Sequence, residues 1–198
     1  SVAETVTNGC INTYTGVYSG TSTSIQAQWT KNMTITTPSN HLTYNGSAQT
    51  CPGITVSDPA DGATIKYGTK SGTYNSNTPH TITDAGDTTV YYQVTKSGYT
   101  TTSGSYKCYM DPKDCGLTLS KTTNTTNFPT ATTFTASTDS ACTLSVSLTG
   151  GDVVATASID NGTITMTPKK TGSQTVTITA TKPNNNYNTS TDTHTLTV

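Results

Sequence analysis

The sequence predicts an all-β protein built as tandem sandwiches, and three observations carry that prediction. About fifty of the 198 residues are Thr and about twenty are Ser, so β-branched and hydroxyl side chains stand where helix formers would otherwise be. Short runs alternate apolar residues with Thr or Ser and are divided by turn chemistry. Finally, one strand-like segment recurs about 86 residues further along the chain.

Composition also excludes several classes. Charged residues make up 11% and hydrophobic residues 30%, against roughly 25% and 45–50% in an ordinary domain. Ten basic and eleven acidic residues give a net charge of −1 with no basic cluster. A sequence-independent nucleic-acid binder needs a basic stripe, so no nucleic-acid partner is expected. No apolar run approaches the ~18–20 residues of a membrane helix, so no membrane span is expected. Disorder would fit the low hydrophobicity, but eleven Tyr, one Trp and two Phe recur among alternating apolar positions, which favours folding. So few large aliphatic residues point to two or three small cores, which often need covalent help.

Residues 1–32 stand apart. Val2, Val6, Ile11, Tyr14, Val17, Ile25 and Trp29 occur with Asn8-Gly9 and Ser19-Gly20 turns, enough for two or three strands but too few for a sandwich. Three readings stay open: the end of a preceding domain, a β-extension packed on the first unit, or a segment completing a neighbouring subunit's sheet. The chain begins at Ser1 with no signal peptide before it, which reads as a processed form or an excised fragment.

In residues 33–110, strands are expected at Met33 to Thr36, Ile54 to Val56, Thr64 to Tyr67, His80 to Ile82, Thr89 to Val94 and Tyr106 to Tyr109. Turn-forming stretches such as Asp58-Pro59-Ala60-Asp61-Gly62 and Asp84-Ala85-Gly86-Asp87 separate them. Asp111-Pro112-Lys113-Asp114 reads as a linker of limited bending. In residues 111–198, strands are expected at Leu117 to Ser120, Thr132 to Ala136, Leu144 to Leu148, Val153 to Ile159, Ile164 to Thr167, Thr175 to Ala180 and Thr195 to Val198. Asn161-Gly162 is a two-residue hairpin signal.

The repeat aligns Gly86 to Lys96 with Gly172 to Lys182 without gaps and with five identities. Val90, Tyr92 and Val94 match Val176, Ile178 and Ala180, three positions that period-two alternation puts on one buried face. Each copy runs on into a turn and a Tyr, at Tyr99 and Tyr187. The spacing is too long for a solenoid, and about seven short strands per ~80–90 residues suits an immunoglobulin-like sandwich.

The run Val154 to Ala180, with Ile159-Asp160-Asn161-Gly162, Ile164, Met166, Gly172, Val176 and Ile178, resembles the central signature of bacterial immunoglobulin-like (Big) domains. Leu42-Thr43-Tyr44-Asn45-Gly46, Ile65-Lys66-Tyr67-Gly68 and the stretch from Asp84 through Val90-Tyr91-Tyr92 to Tyr99 resemble a relative found in large surface proteins of Gram-positive bacteria. The resemblance covers roughly residues 33–198. It implies tandem immunoglobulin-like sandwiches and says little of activity, because fold alone does not fix function.

The cysteines are not part of that pattern. Cys10, Cys51, Cys108, Cys115 and Cys142 show no C-x-x-C spacing, so structural disulfides in an oxidising compartment are favoured over zinc or redox chemistry. Five reduced cysteines in a cytosolic protein is the alternative. In an immunoglobulin-like sandwich Cys51 and Cys108 fall near the C-terminal pole of the first unit, and Cys115 and Cys142 near the N-terminal pole of the second. The expected pairs are Cys51–Cys108 and Cys115–Cys142, leaving Cys10 unpaired or bonded to another chain. Cys108–Cys115 across the linker is the rival.

Little points to catalysis. His41, His80 and His194 have neither metal-ligand spacing nor a nucleophile signature, and His80 and His194 read as ordinary strand positions. Asp58 and Asp61, and Asp84 and Asp87, offer carboxylates to calcium or simply form turns. No catalytic, metal or cofactor residue is expected, and no enzyme. Five Asn-x-Ser/Thr sequons, at Asn32, Asn45, Asn124, Asn161 and Asn188, match the number chance supplies in so Thr-rich a chain. Aromatic residues are the better argument for a binding face: Tyr14, Tyr18 and Trp29 in the N-terminal segment, and Tyr91, Tyr99 and Tyr109 as outward-facing positions. Tyr92 is expected in the core, and Trp29 also fits a packing anchor.

The expected function is a non-enzymatic extracellular stalk of a bacterial cell-surface protein, presenting an adhesive region to a host or cell-surface glycan or protein. A virion or filament subunit, self-associating through residues 1–32 or Cys10, is the first alternative. A carbohydrate-binding module is the second. The recurrent Lys96 and Lys182 raise a further idea, an autocatalytic Lys–Asn isopeptide crosslink.

Overall fold

The computed structural model describes residues 30–198. The expected contacts of Cys10, Tyr14, Tyr18 and Trp29, and the strands expected before Thr30, lie outside the described residues.

Every element among the described residues is a strand. The first group comprises β1 (Thr34–Thr36), β2 (Leu42–Thr43), β3 (Gln49–Thr50), β4 (Thr55–Asp58), β5 (Thr64–Gly68), β6 (Thr81–Ile82), β7 (Gly86–Thr95) and β8 (Thr102–Asp111). After β9 (Lys113–Asp114) come β10 (Thr118–Leu119), β11 (Thr123–Thr125), β12 (Thr132–Ser137), β13 (Thr143–Leu148), β14 (Ala155–Asp160), β15 (Thr163–Pro168), β16 (Ser173–Thr181), β17 (Tyr187–Asn188) and β18 (Ser190–Thr197).

The first group forms a sheet ordered β2-β8-β7-β5, faced by the ribbons β1-β4 and β3-β6. Val90, Tyr92 and Val94 of β7 point inward with Tyr106 and Cys108 of β8, and Cys51, Ile54, Ile35, Val56 and Ile82 meet them from the other layer. Two buried phenols tie the layers together: Tyr67 Oη accepts the Ile54 N–H at 3.1 Å, and Tyr106 Oη donates to the Pro52 carbonyl. The main chain between β3 and β4 thus has partners where no sheet ladder reaches it.

The second group forms two four-stranded sheets, β10-β12-β15-β14 and β11-β18-β16-β13. Phe134, Ile164, Met166, Val176, Ile178 and Leu196 fill the space between them. Asn161 and Gly162 adopt φ of 45° and 78°, the left-handed pair that a two-residue type I′ hairpin between β14 and β15 requires. The described residues are therefore all-β, two immunoglobulin-like sandwiches in tandem.

Differences from the expectations lie at sheet margins. β2, β3, β9, β11 and β17 fall where no strand was expected, because segments of two or three residues are too short to show alternation. β7 and β8 run ten residues each, past the expected Thr89 to Val94 and Tyr106 to Tyr109, since Thr, Ser and Gly continue a ladder without an apolar signal. His80 lies just before β6 rather than within it, with Nε2 at 3.0 Å from the Thr88 hydroxyl. His194 is fully buried in β18, stacks on Phe134 at 3.8 Å and donates from Nδ1 to the Lys121 carbonyl.

Candidate functional site: the braced junction

Cys51 is bonded to Cys108 and Cys115 to Cys142, each pair with Cα atoms 5.9 Å apart. These are the pairs that strand placement favours over Cys108–Cys115. The first joins the two layers of the first sandwich, and the second opens the other sandwich beside the linker.

The linker itself is the site that sequence reasoning resolved least. Asp111 belongs to the first sandwich: its carbonyl accepts the Tyr44 N–H at 2.9 Å and its carboxylate accepts from His41 Nδ1 at 2.9 Å. Lys113 belongs to the second. Together with Asp114 it forms β9, which runs parallel to β17, with Lys113 opposite Tyr187. The Lys113 N–H bonds the Asn186 carbonyl at 3.0 Å and the Cys115 N–H bonds the Asn188 carbonyl at 3.1 Å. Between the two anchored residues stands only Pro112, whose ring holds φ near −65°. The expected linker Asp111–Asp114 is thus a single fixed-φ residue flanked by residues already committed to opposite sandwiches.

Side chains brace the same point. Asn186 reaches into the first sandwich, where Oδ1 accepts the Ala85 N–H at 2.6 Å and Nδ2 donates to the Asp84 carboxylate at 2.9 Å. Its own loop is held by the Asn184 side chain, which accepts the Asn186 N–H at 3.1 Å, an Asx turn. The Tyr44 and Tyr187 rings meet edge to face at 5.5 Å, and Lys182 Nζ lies 5.0 Å from the centre of the Tyr187 ring. Lys113 Nζ pairs with Asp139 at 2.5 Å. That ammonium, with the Ala141 N–H, holds the Asp139 carboxyl below its usual range, and Asp139 in turn raises Lys113. An exposed pair of this kind contributes little alone, but the Asp139 N–H also bonds the Cys115 carbonyl at 2.8 Å.

The aromatic positions singled out from sequence separate in space. Tyr109 is 41% exposed and stacks on His41 at 4.7 Å, beside the Lys107–Asp87 pair. Tyr91 is half-buried. Tyr99 is not a free outward ring: its hydroxyl donates to Asp58 at 3.0 Å, and Lys31 and Lys96 lie over its ring at 5.8 and 6.0 Å. Burial of Tyr92 follows the alternation. Of the two repeated lysines, Lys96 reaches the main chain of Asp61 and Lys182 covers Tyr187; the Lys–Asn hydrogen bond present among the described residues is Lys66–Asn77. Asp58 serves Tyr99, Asp84 serves Asn186 and Asp87 pairs with Lys107. Among the described residues no three His, Cys, Asp or Glu side chains gather around a common point, and no helix is long and apolar enough to cross a membrane.

Asn186, Tyr44 and Pro112 carry the junction; in the sequence Asn186 and Pro112 read only as turn and linker residues, and Tyr44 only as part of the stretch that resembles surface-protein domains. The signal that could have found Asn186 is its place just before the repeat's Tyr, in a loop with no counterpart to its length in the first copy.

No family model matches the chain, and no curated protein matches it. Among solved structures, the titin domains z1z2 in complex with telethonin align with TM-score 0.44 and 14% identity over 85% of this chain and 97% of that one. Tandem Ig repeats of Dlar align with TM-score 0.34 and 12% identity, covering 84% and 97%. Fibronectin(III)-like modules of Clostridium thermocellum CbhA align with TM-score 0.30 and 11% identity, covering 84% and 93%. The immunoglobulin-like assignment rests on the strand order and core described above.

Proposed function

We propose that the chain is a non-enzymatic, extracellular structural module: two immunoglobulin-like units, residues 33–110 and 111–198, that act as a stiff spacer in a bacterial surface protein of the Big-domain type. The observation that carries this reading is the junction, where the chain passes from one sandwich to the other through one proline and Asn186 clasps the Asp84-Ala85 turn. A spacer that presents a distal adhesive region benefits from such a joint, because each degree of freedom removed in advance is not lost again on binding. Two disulfides support an oxidising setting. A surface of Thr and Ser with few charges supports a role that depends little on ionic strength.

The test is orientation in solution. Residual dipolar couplings measured on the intact chain should fit one alignment tensor for both sandwiches, with the relative orientation seen here. Two independent tensors would sink the stiff-spacer reading.

A further inference from the structure

The first sandwich meets the second through one pole, and the second sandwich repeats that pole at its far end. Gly86 opposes Met110 across β7 and β8, and Gly172, its match in the repeat, exchanges main-chain bonds with Val198 at 3.2 and 2.8 Å. Val198 therefore stands where Met110 stands. In the first sandwich Leu42 opposes Met110, and Tyr44 follows two residues later. In the second, Thr125 opposes Thr197 and the Thr126 N–H bonds the Thr197 carbonyl at 3.0 Å, so Thr126, next in register, takes the place of Leu42. Two residues on comes Phe128. Phe128 is thus the counterpart of Tyr44, the ring that the first sandwich sets against Tyr187.

The two rings differ in cover. Tyr44 is half-buried, whereas Phe128 is 53% exposed. A single exposed apolar ring needs no explanation, but this one holds the register position of a ring that is an interface residue one unit earlier. Val153, 55% exposed, lies at the same end, in the β13–β14 connection, where the Val154 carbonyl accepts the Lys169 and Lys170 N–H groups just ahead of Gly172. The third exposed large apolar side chain among the described residues, Tyr109, is stacked on His41. Lys170 and Thr171 precede Gly172 as Asp84 and Ala85 precede Gly86, so the turn that Asn186 clasps also has its counterpart here. Its charge is reversed: Lys170 stands for Asp84 and has no carboxylate partner among the described residues.

We infer that the pole of Phe128, Val153 and Lys170-Thr171 docks the entry pole of a further immunoglobulin-like sandwich in the same polypeptide, with Phe128 against that unit's counterpart of Tyr187. The chain already builds this interface once, from the same register positions. A unit entering in line with β18 would be tethered at the pole itself, so its effective concentration there is high. Lys170 narrows the partner's chemistry. Where Asn186 offers an amide N–H to Asp84, the partner offers a carboxylate, whose oxygens accept from both the Lys170 ammonium and the Thr171 N–H. The inference rests on the stiff-spacer reading only in taking the joint at Asp111–Cys115 as its template.

The test extends the full chain by a second copy of residues 111–198 placed directly after Val198, so that Asp111 follows Val198 as it follows Met110, with Asn186→Asp in the added copy. Nuclear Overhauser contacts should join the Phe128 ring of the original chain to the added Tyr187 ring, and ¹⁵N relaxation should give the added sandwich the tumbling time of its neighbour. Phe128→Ala in the original chain, at an exposed position outside the second core, should free the added sandwich. Phe128→Tyr should keep it docked, Tyr109→Ala should change nothing, and restoring Asn186 in the added copy should loosen it. An added sandwich that tumbles alone while the first two share one time would overturn this inference and leave the stiff-spacer reading standing. Separate tumbling of the first two would sink that reading, and the Phe128–Tyr187 contacts would still decide this one, their absence overturning it. Shielding of Phe128 in the unextended chain that grows with protein concentration would overturn it too, by giving the face to a second copy.

Discussion

Asn186 of the second sandwich accepts a hydrogen bond from the main chain of Ala85 in the first, at 2.6 Å, and returns one to Asp84 at 2.9 Å. Each such bond has a net value of about 0.5–1.5 kcal/mol, and about 1.4 kcal/mol is a tenfold shift in a two-state balance. Asn186→Ala should therefore leave each sandwich folded and release the joint. Relaxation of backbone ¹⁵N should give one tumbling time for both sandwiches in the wild type and two shorter, unequal times in the variant. Unchanged tumbling in Asn186→Ala would mean that Pro112 and β9 suffice alone and that the clasp is incidental.

The two disulfides close loops of different length, with sequence separations of 57 and 27. Loop-closure entropy assigns them about 3–5 kcal/mol each, the longer loop more. Cys51 and Cys108 are also part of the first core, where so few large aliphatic side chains stand that Tyr67, Tyr92 and Tyr106 fill the space. The Cys51→Ser/Cys108→Ser double variant should lose more stability than Cys115→Ser/Cys142→Ser, measured by urea denaturation under non-reducing conditions. Equal losses would show that neither the longer loop nor the core position of Cys51 and Cys108 adds to what a crosslink contributes. Non-reducing peptide mapping that joined Cys108 to Cys115 would remove the basis for both expectations.

The parts of this structure legible in sequence are those where alternation is sustained. β7, β8 and β16 announce themselves through Val90-Tyr92-Val94, Tyr106-Cys108-Met110 and Val176-Ile178-Ala180, because burial on one face enforces alternation across each of these segments. The hairpin at Asn161-Gly162 is legible because so few residues accept its left-handed conformation. The junction was not legible. Its specificity lies in main-chain bonds from Lys113 and Cys115, in one Asn side chain that spans 101 residues of sequence, and in Tyr44, which carries no period at all. A Thr-rich surface adds to the difficulty: Tyr99 and Tyr109 look alike in pattern, yet one is held by Asp58 and two lysines while the other is open to solvent on β8.

Tyr106 makes the first sandwich sensitive to alkali. Burial, followed by the neighbouring Tyr67, pushes its phenol up to about 12, and its hydroxyl donates to the Pro52 carbonyl. A phenol in the unfolded chain loses its proton near pH 10. The folded state holds the proton longer, so above about pH 10 the unfolded state binds fewer protons and stability falls with rising pH. The contribution is whole below pH 10 and is lost as pH climbs towards about 12. Urea midpoints followed from pH 8 to 12 should decline steepest in that window for the wild type. Tyr106→Phe should be less stable at pH 8, having lost the Pro52 bond, and should flatten the decline. A decline of undiminished slope in Tyr106→Phe would assign the alkaline loss to Tyr67 or to other groups.

Gln174 is one of two polar side chains that the described residues bury outright, at 4% exposure. Its Nε2 donates to the Thr149 carbonyl at 2.8 Å and its Oε1 accepts the Val154 N–H at 3.1 Å, so one amide closes both ends of the Thr149–Val154 connection between β13 and β14. The repeat places Gln174 opposite Thr88, which meets His80 at 3.0 Å. Both units therefore use this position to hold a neighbouring segment, with the longer side chain where the gap is wider. Gln174→Leu keeps the volume but leaves a buried N–H and a carbonyl without partners, each costing about 1–3 kcal/mol. The loss should be local before it is global, because Ile178, Leu196 and Met166 stay packed below. Hydrogen exchange at Val154 should accelerate far more than exchange at Ile178. Equal acceleration at both would mean that Gln174 supports the whole second core rather than the connection it spans.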